Sequence, residues 1–187
     1  MSAAWAAVAA AAVLVGTSLD LMAVLVRAAS SATPPARRRL LQGAGVARLV
    51  LVAAAWFVSI ALIELPLLLV AVLGIVPLAL GFAAQRRRGK PSHFAVTGSM
   101  SAAFTSFATG GDDVAAWLVV IRWQVGHQAW PVAVVLVAGA IVVPWAAGLL
   151  SRGRAAERTA TVLAAAAPIA QIAVGIALIA GSVVIAT

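Results

Sequence analysis

Apolar residues of this chain occur in long runs of Ala, Val and Leu, separated by short polar stretches. About 20 such residues cross the hydrocarbon core of a bilayer as a helix. The chain offers six runs of roughly that length, at 4–27, 41–63, 65–84, 99–121, 131–150 and 160–185. The pattern therefore predicts an all-α integral membrane protein with six transmembrane helices.

Composition agrees with a membrane protein and narrows its chemistry. Of the 187 residues, 64% are hydrophobic and 10% are charged, which excludes an ordinary soluble domain. The net charge of +8 comes from short basic clusters between the apolar runs. Such clusters favour contacts with a lipid membrane and not with nucleic acid. With no cysteine and two histidines, we expect no cofactor, and oxygen ligands for any bound cation.

The basic residues predict the orientation of the chain. Eleven of the 13 lie in the segments after the first, third and fifth runs. By the positive-inside rule these segments are cytoplasmic and both termini lie outside. The basic stretch at 85–93 divides the chain into two three-helix halves, 1–90 and 91–187. Since each half has an odd number of spans, the halves cross the membrane in opposite directions, as in an inverted-repeat transporter.

Both halves carry Thr-x-x-Asp within their first apolar run, as Thr17 with Asp20 and as Thr109 with Asp112. Residues three apart share a helix face, so each run presents a hydroxyl and a carboxylate in one direction. A carboxylate inside the membrane is costly and by default indicates function. The two motifs therefore predict a site between the repeats.

A third carboxylate, Asp113, follows Asp112 directly. On an ideal helix the two would point about 100° apart, too far to meet at one ion. Gly110 and Gly111 precede them, and we expect these glycines to interrupt the fourth span and let both acids turn inward.

Carboxylate and hydroxyl oxygens are hard ligands suited to a cation. Acids that face one cavity repel each other, and either a divalent cation or protons relieve that repulsion, which provides a route to cation/proton exchange. The alternative is that one aspartate pairs with Arg48, inside the second run, as a structural ion pair. Arg48 is otherwise expected to extend to the membrane interface.

Other polar residues in the runs have two interpretations each. Ser101, Thr105 and Thr109 recur every four residues and either form a polar path to the acids or allow close helix packing while bonding to backbone carbonyls. Gln42 and Gln171 either make interhelix hydrogen bonds or line the site.

Four motifs in order, GTSLDLMAVLV, LQGAG, VLGIVPLALG and ATGGDDVAAWLVV, cover roughly residues 10–122. As a set they resemble the bacterial cadmium-resistance transporter family (CadD-like) of the lysine exporter superfamily. The resemblance implies a six-helix efflux protein of the bacterial inner membrane that exports a divalent cation such as cadmium. It places Asp20, Gln42 and Asp112 on the family's polar positions.

Two residues depart from that family pattern. Asp113 stands where such proteins typically have asparagine, and Thr109 where some have cysteine. Both changes make the site harder, which favours manganese or another hard divalent ion.

The leading hypothesis is export of a divalent metal cation by proton exchange, with Asp20, Asp112 and Asp113 as ligands, assisted by Thr17 and Thr109. One alternative is export of a small cationic organic solute such as a basic amino acid. Another is a non-transporting membrane subunit with structural acids. An enzyme is least expected, because no nucleophile–base set is visible. The Ala- and Gly-rich faces favour a homodimer.

Overall fold

The structure is a computed structural model that describes residues 3–66, 69–70, 72–86, 98–124, 129–153 and 155–186. All regular structure in these ranges is helical, which confirms the predicted all-α class. The elements are α1 (Ala3–Ser31), α2 (Pro34–Ala61), a 3₁₀ turn (Val72–Gly74), α3 (Ile75–Arg86), α4 (Ser99–Thr109), α5 (Gly111–Trp123), α6 (Trp130–Leu150) and α7 (Ala156–Ala186).

Four helices, α1, α2, α6 and α7, are long and apolar enough to cross a membrane. They match the first, second, fifth and sixth predicted runs and are compatible with a multi-pass membrane protein. The third run instead contains the 3₁₀ turn and the 12-residue α3. The fourth run is divided between α4 and α5, of 11 and 13 residues.

The second helix begins earlier than its apolar run indicates. It starts at Pro34 and not near residue 41, because proline suits the first helical turn, where its missing N–H is not needed. Arg37 then donates from Nε to the carbonyl of Ala29 at 3.0 Å and from Nη2 to that of Ala32. The arginine run 37–39 therefore belongs to a helix and closes the turn between α1 and α2.

Helix α5 lies at the centre of the bundle. Each residue from Ala115 to Ile121 is buried, as expected of a helix that is apolar on all sides. It contacts α1, α2, α3 and α7, while α1 packs along α6 and α7, α2 packs on α4 and α6, and α3 packs on α7. Polar groups at the start of α5 are thereby brought against α1 and α2.

Contacts between helix ends fix which segments lie together. Arg27, near the end of α1, forms a 3.1 Å ion pair with Glu157, in the first turn of α7. At the opposite end of the bundle, Arg122 donates from Nη2 to the carbonyls of Ile63 and Leu65 at 3.1 and 2.9 Å. The described arginines after α1 and α6 therefore share one end of the bundle, as the charge pattern predicts. Which side of the membrane that end faces stays a prediction.

Close approach of α2 to α4 depends on a glycine. A Cβ placed on Gly43 would collide with the backbone carbonyl of Ser99, the first residue of α4. A Cβ on Gly45 would make only ordinary contacts at 3.8 and 3.9 Å. The missing side chain of Gly43 thus allows the start of α4 to lie directly against α2.

Candidate cation-binding site

The fourth apolar run is interrupted where its two glycines predict. Helix α4 ends at Thr109, Gly110 adopts φ −87° and ψ 4°, and α5 begins at Gly111. The N–H of Gly110 donates to the carbonyl of Phe107 at 3.3 Å, and Gly110 in turn accepts from the N–H of Val114 at 3.0 Å. The predicted break is therefore confirmed.

This break places Asp112 and Asp113 in the first turn of α5. The amide groups there lack acceptors within the helix, and the helix dipole favours negative charge. The Asp113 side chain is buried, with 2% of the residue exposed. The side chain of Asp112 lies outside the described residues, and its predicted role as a ligand is not tested.

Arg48 is the partner of Asp113. It lies on α2 and is completely buried, with Nη1 3.2 Å from Oδ2 of Asp113. Its Nη2 donates to Oγ of Ser18 on α1 at 2.7 Å, and its guanidinium carbon lies 5.3 Å from the centre of the Trp117 ring on α5. One cation thus joins α1, α2 and α5. Of the two roles predicted for Arg48, at the membrane interface or paired with an aspartate, the structure shows the pairing.

The ion pair of Arg48 and Asp113 is incomplete. Nη1 approaches one carboxylate oxygen without a well-aligned hydrogen bond, and Nε of Arg48 and Oδ1 of Asp113 have no hydrogen-bond partner among the described residues. Arginine–carboxylate pairs are frequently bidentate, with two parallel bonds. Here one buried carboxylate oxygen retains its capacity to bind another group.

Thr17 and Asp20 of the first motif lie beside this pair. Thr17 is buried and donates its hydroxyl proton to the carbonyl of Val13 at 3.1 Å. Asp20 is partly exposed and lies close enough to Asp113 to act on it electrostatically, and the Thr17 hydroxyl lies within hydrogen-bonding reach of the same carboxylate. The structure therefore brings three predicted ligands, Thr17, Asp20 and Asp113, to one place, together with a positive charge.

Asp20 differs from Asp113 in its partners. Within the described ranges it has no ion pair, whereas the charge of Asp113 is offset by Arg48. Of the two acids whose side chains are described here, Asp20 is the one without an ion pair and with partial exposure.

The hydroxyl residues of α4 bond to backbone. Thr105 donates to the carbonyl of Ser101 at 2.8 Å and Thr109 donates to that of Thr105 at 2.9 Å. All three are partly exposed. These bonds are the ones expected for close helix packing, and the predicted polar path is not tested by them.

The two glutamines occupy different surroundings. Gln42 is exposed near the start of α2, about 9 Å along the helix axis from Arg48 by the helical rise. Gln171 is buried in α7 and has an interaction partner. It lies at the level of Gly16, whose nearest neighbours are Ala170 and Val174. Gln171 is therefore the glutamine nearer to the level of Thr17.

Two residues of the site were not predicted, Ser18 and Trp117. Ser18 follows Thr17 but is not one of the two residues repeated in the Thr-x-x-Asp motifs, so the repeat does not indicate it. Trp117 lies four residues after Asp113, which is one helical turn, so both meet the same neighbour. An arginine in an apolar run and a tryptophan one turn from an acid are the signals that could have found this cluster.

No family model matches the chain, and neither does any curated protein or solved structure.

Proposed function

We propose that the chain exports a divalent metal cation across the membrane in exchange for protons, with Asp20, Asp112 and Asp113 as the groups that bind either one. The observation that carries this proposal is the buried pair of Asp113 and Arg48 beside Asp20. Charged groups at this depth in an apolar helix bundle are expensive and typical of ion and proton pathways.

The proposal treats the chain as six spans in two inverted halves. By the helical rise, α4 and α5 extend roughly 16 and 20 Å, too little each but enough together to cross a hydrocarbon core of about 30 Å. Helix α1 of the first half packs on α6 and α7 of the second, and the α4–α5 unit of the second half packs on α2 and α3 of the first. Exchanging the halves exchanges these two sets of contacts, which supports the inverted arrangement.

The ligand chemistry supports a cation. Carboxylates of Asp20 and Asp113 and the hydroxyl oxygen of Thr17 are the oxygen ligands that hard divalent ions prefer. Since a cation and protons neutralise the same oxygens, each displaces the other, and a proton gradient can drive export. The interruption at Gly110 supplies irregular backbone next to these oxygens, as in transporters with discontinuous helices.

The test is thermal stabilisation of the purified full chain in detergent by Cd²⁺, Mn²⁺, Zn²⁺, Co²⁺ and Mg²⁺. A ligand present at 100 times its Kd stabilises the protein that binds it by about 2.7 kcal/mol. We expect at least one ion to raise Tm, and Asp20→Asn and Asp112→Asn to abolish the effect. Glu157→Gln is the matched control, because it removes an exposed carboxylate far along α7 from the site.

Cells provide the second readout. Cells that express the wild-type chain should accumulate less of the stabilising ion, and cells with Asp20→Asn should not differ from cells without the chain, although the variant reaches the membrane. If no ion in the panel shifts Tm and accumulation is unchanged, the metal-export proposal is wrong.

Export of a small organic cation is the second candidate, and the surroundings of Arg48 favour it. Asp113, Ser18 and the face of Trp117 hold the guanidinium group of Arg48, which shows that these side chains are of the kinds that bind an organic cation. Stabilisation by arginine or lysine with no response to metals would select this candidate. No response to either class would favour a membrane subunit with structural acids.

A further inference from the structure

Asp113 has two buried oxygens in different situations. Oδ2 lies 3.2 Å from Nη1 of Arg48, while Oδ1 has no hydrogen-bond partner among the described residues. A buried carboxylate oxygen without a partner is unfavourable unless another group binds it. Asp113 is therefore prepared for a ligand in addition to Arg48.

Arg48 also has contacts that do not depend on Asp113. Its Nη2 donates to Ser18 at 2.7 Å and its guanidinium lies over the Trp117 ring at 5.3 Å. Nε remains without a hydrogen-bond partner in the described part of the chain. The guanidinium therefore stays held by a hydroxyl and an aromatic face when Asp113 turns to another cation.

We propose that Arg48 is a tethered competitor of the transported cation for Asp113. Its guanidinium occupies one side of the carboxylate, and the incoming cation binds through the free oxygen and draws Asp113 away. This inference rests on the proposed cation export and concerns the same site.

The positive charge of Arg48 is permanent, and it weakens the binding of any other cation to Asp113. Arginine is not deprotonated in proteins, so a cation on Asp113 always lies next to a positive charge that it cannot eliminate. Competition lowers the apparent affinity by the fraction of molecules in which Asp113 is available. Arg48 thereby prevents the cation from being held too tightly to leave, and it returns to Asp113 as the cation departs.

The experiment measures the Kd of Cd²⁺ and Mn²⁺ for the purified full chain by calorimetry, together with export of the same ions from proteoliposomes. Arg48→Gln removes the competitor, and we expect its Kd to fall about tenfold or more, with slower export. Ser18→Ala removes a contact that matters most when Arg48 has left Asp113, and we expect its Kd to rise about threefold or more. Arg27→Gln, a charge change at an exposed ion pair, should leave Kd unchanged.

The opposite signs separate competition from a structural role, since structural damage would weaken binding in both site variants. A folded Arg48→Gln variant with unchanged or higher Kd overturns the inference and leaves the export proposal standing. If Arg48→Gln fails to fold, Ser18→Ala decides, and an unchanged or lower Kd overturns the inference. Binding by Arg48→Gln alone supports it, whereas absence of binding by both wild type and Arg48→Gln contradicts the export proposal itself.

Discussion

Removing either member of the buried pair of Arg48 and Asp113 should destabilise the fold much more than removing both. Arg48→Met leaves the carboxylate of Asp113 without its counter-ion, and Asp113→Asn leaves the guanidinium of Arg48 with only Ser18 and Trp117. Breaking a buried pair in this way costs about 3–5 kcal/mol.

The magnitude for the double variant follows from the burial of both side chains, which are 0% and 3% exposed. With both charges removed, no unpaired ion remains, and replacing a buried ion pair by uncharged groups is often neutral within a few kcal/mol. We therefore expect the double variant to cost less than either single variant. The coupling energy must then be at least as large as the cost of one single variant, about 3 kcal/mol or more, at the upper limit for contacting residues.

The assay is reversible unfolding of the purified chain in mixed micelles with increasing dodecyl sulfate, arranged as a double-mutant cycle. The ion pair of Arg27 and Glu157 is the matched control, because it joins the same residue classes with side chains 53% and 68% exposed. Exposed pairs contribute about 0.2–1 kcal/mol. A coupling at Arg48–Asp113 no larger than that at Arg27–Glu157 would refute the assignment of a buried, mutually compensating pair.

Three other substitutions test the packing of the bundle. Gly43→Ala places a Cβ against the backbone of Ser99 and should lower the free energy of unfolding by about 1–3 kcal/mol. The control Gly45→Ala adds a Cβ that makes only ordinary contacts and should be neutral or stabilise by up to about 1 kcal/mol. Equal effects of the two variants in chemical unfolding would contradict the close crossing of α2 and α4. Arg122→Gln removes the donor that binds two carbonyls of the turn at 62–66 and should speed amide exchange there by about tenfold, while exchange at residues 34–39 stays unchanged.

Features that depend on local sequence were predictable. Long apolar runs predict long helices because a helix satisfies its own backbone hydrogen bonds in lipid. The interruption at Gly110 was predictable for a similar reason, since consecutive glycines weaken a helix from within the segment itself. Asp112 and Asp113 follow the two glycines directly, so the sequence alone predicts that they lie at the start of α5.

Features that depend on packing were not predictable. The sequence offered an aspartate as a partner of Arg48, but which aspartate pairs with it is set by how α2 lies against α5. Ser18 and Thr17 are neighbours in sequence with different partners: Ser18 accepts from Arg48, whereas Thr17 donates to its own helix. In the sequence both are small polar residues in an apolar run, and only the positions of the surrounding helices determine that they have different hydrogen-bond partners.

The pairing of Arg48 with Asp113 changes the charge that the site presents to a cation. In the sequence, Asp113 is an added carboxylate that makes the site harder and more negative. Among the described side chains, Asp20, Asp113 and Arg48 have a formal charge of −1 when both acids are ionised, which matches one proton or one monovalent cation. When Asp113 leaves Arg48, its carboxylate and that of Asp20 form a pair of acids that suits a divalent ion, with Arg48 still close by on Ser18 and Trp117. Under the proposed cation export, release of Asp113 by Arg48 and binding of a divalent ion are coupled, and we expect the distance between these two side chains to influence which valence the site accepts.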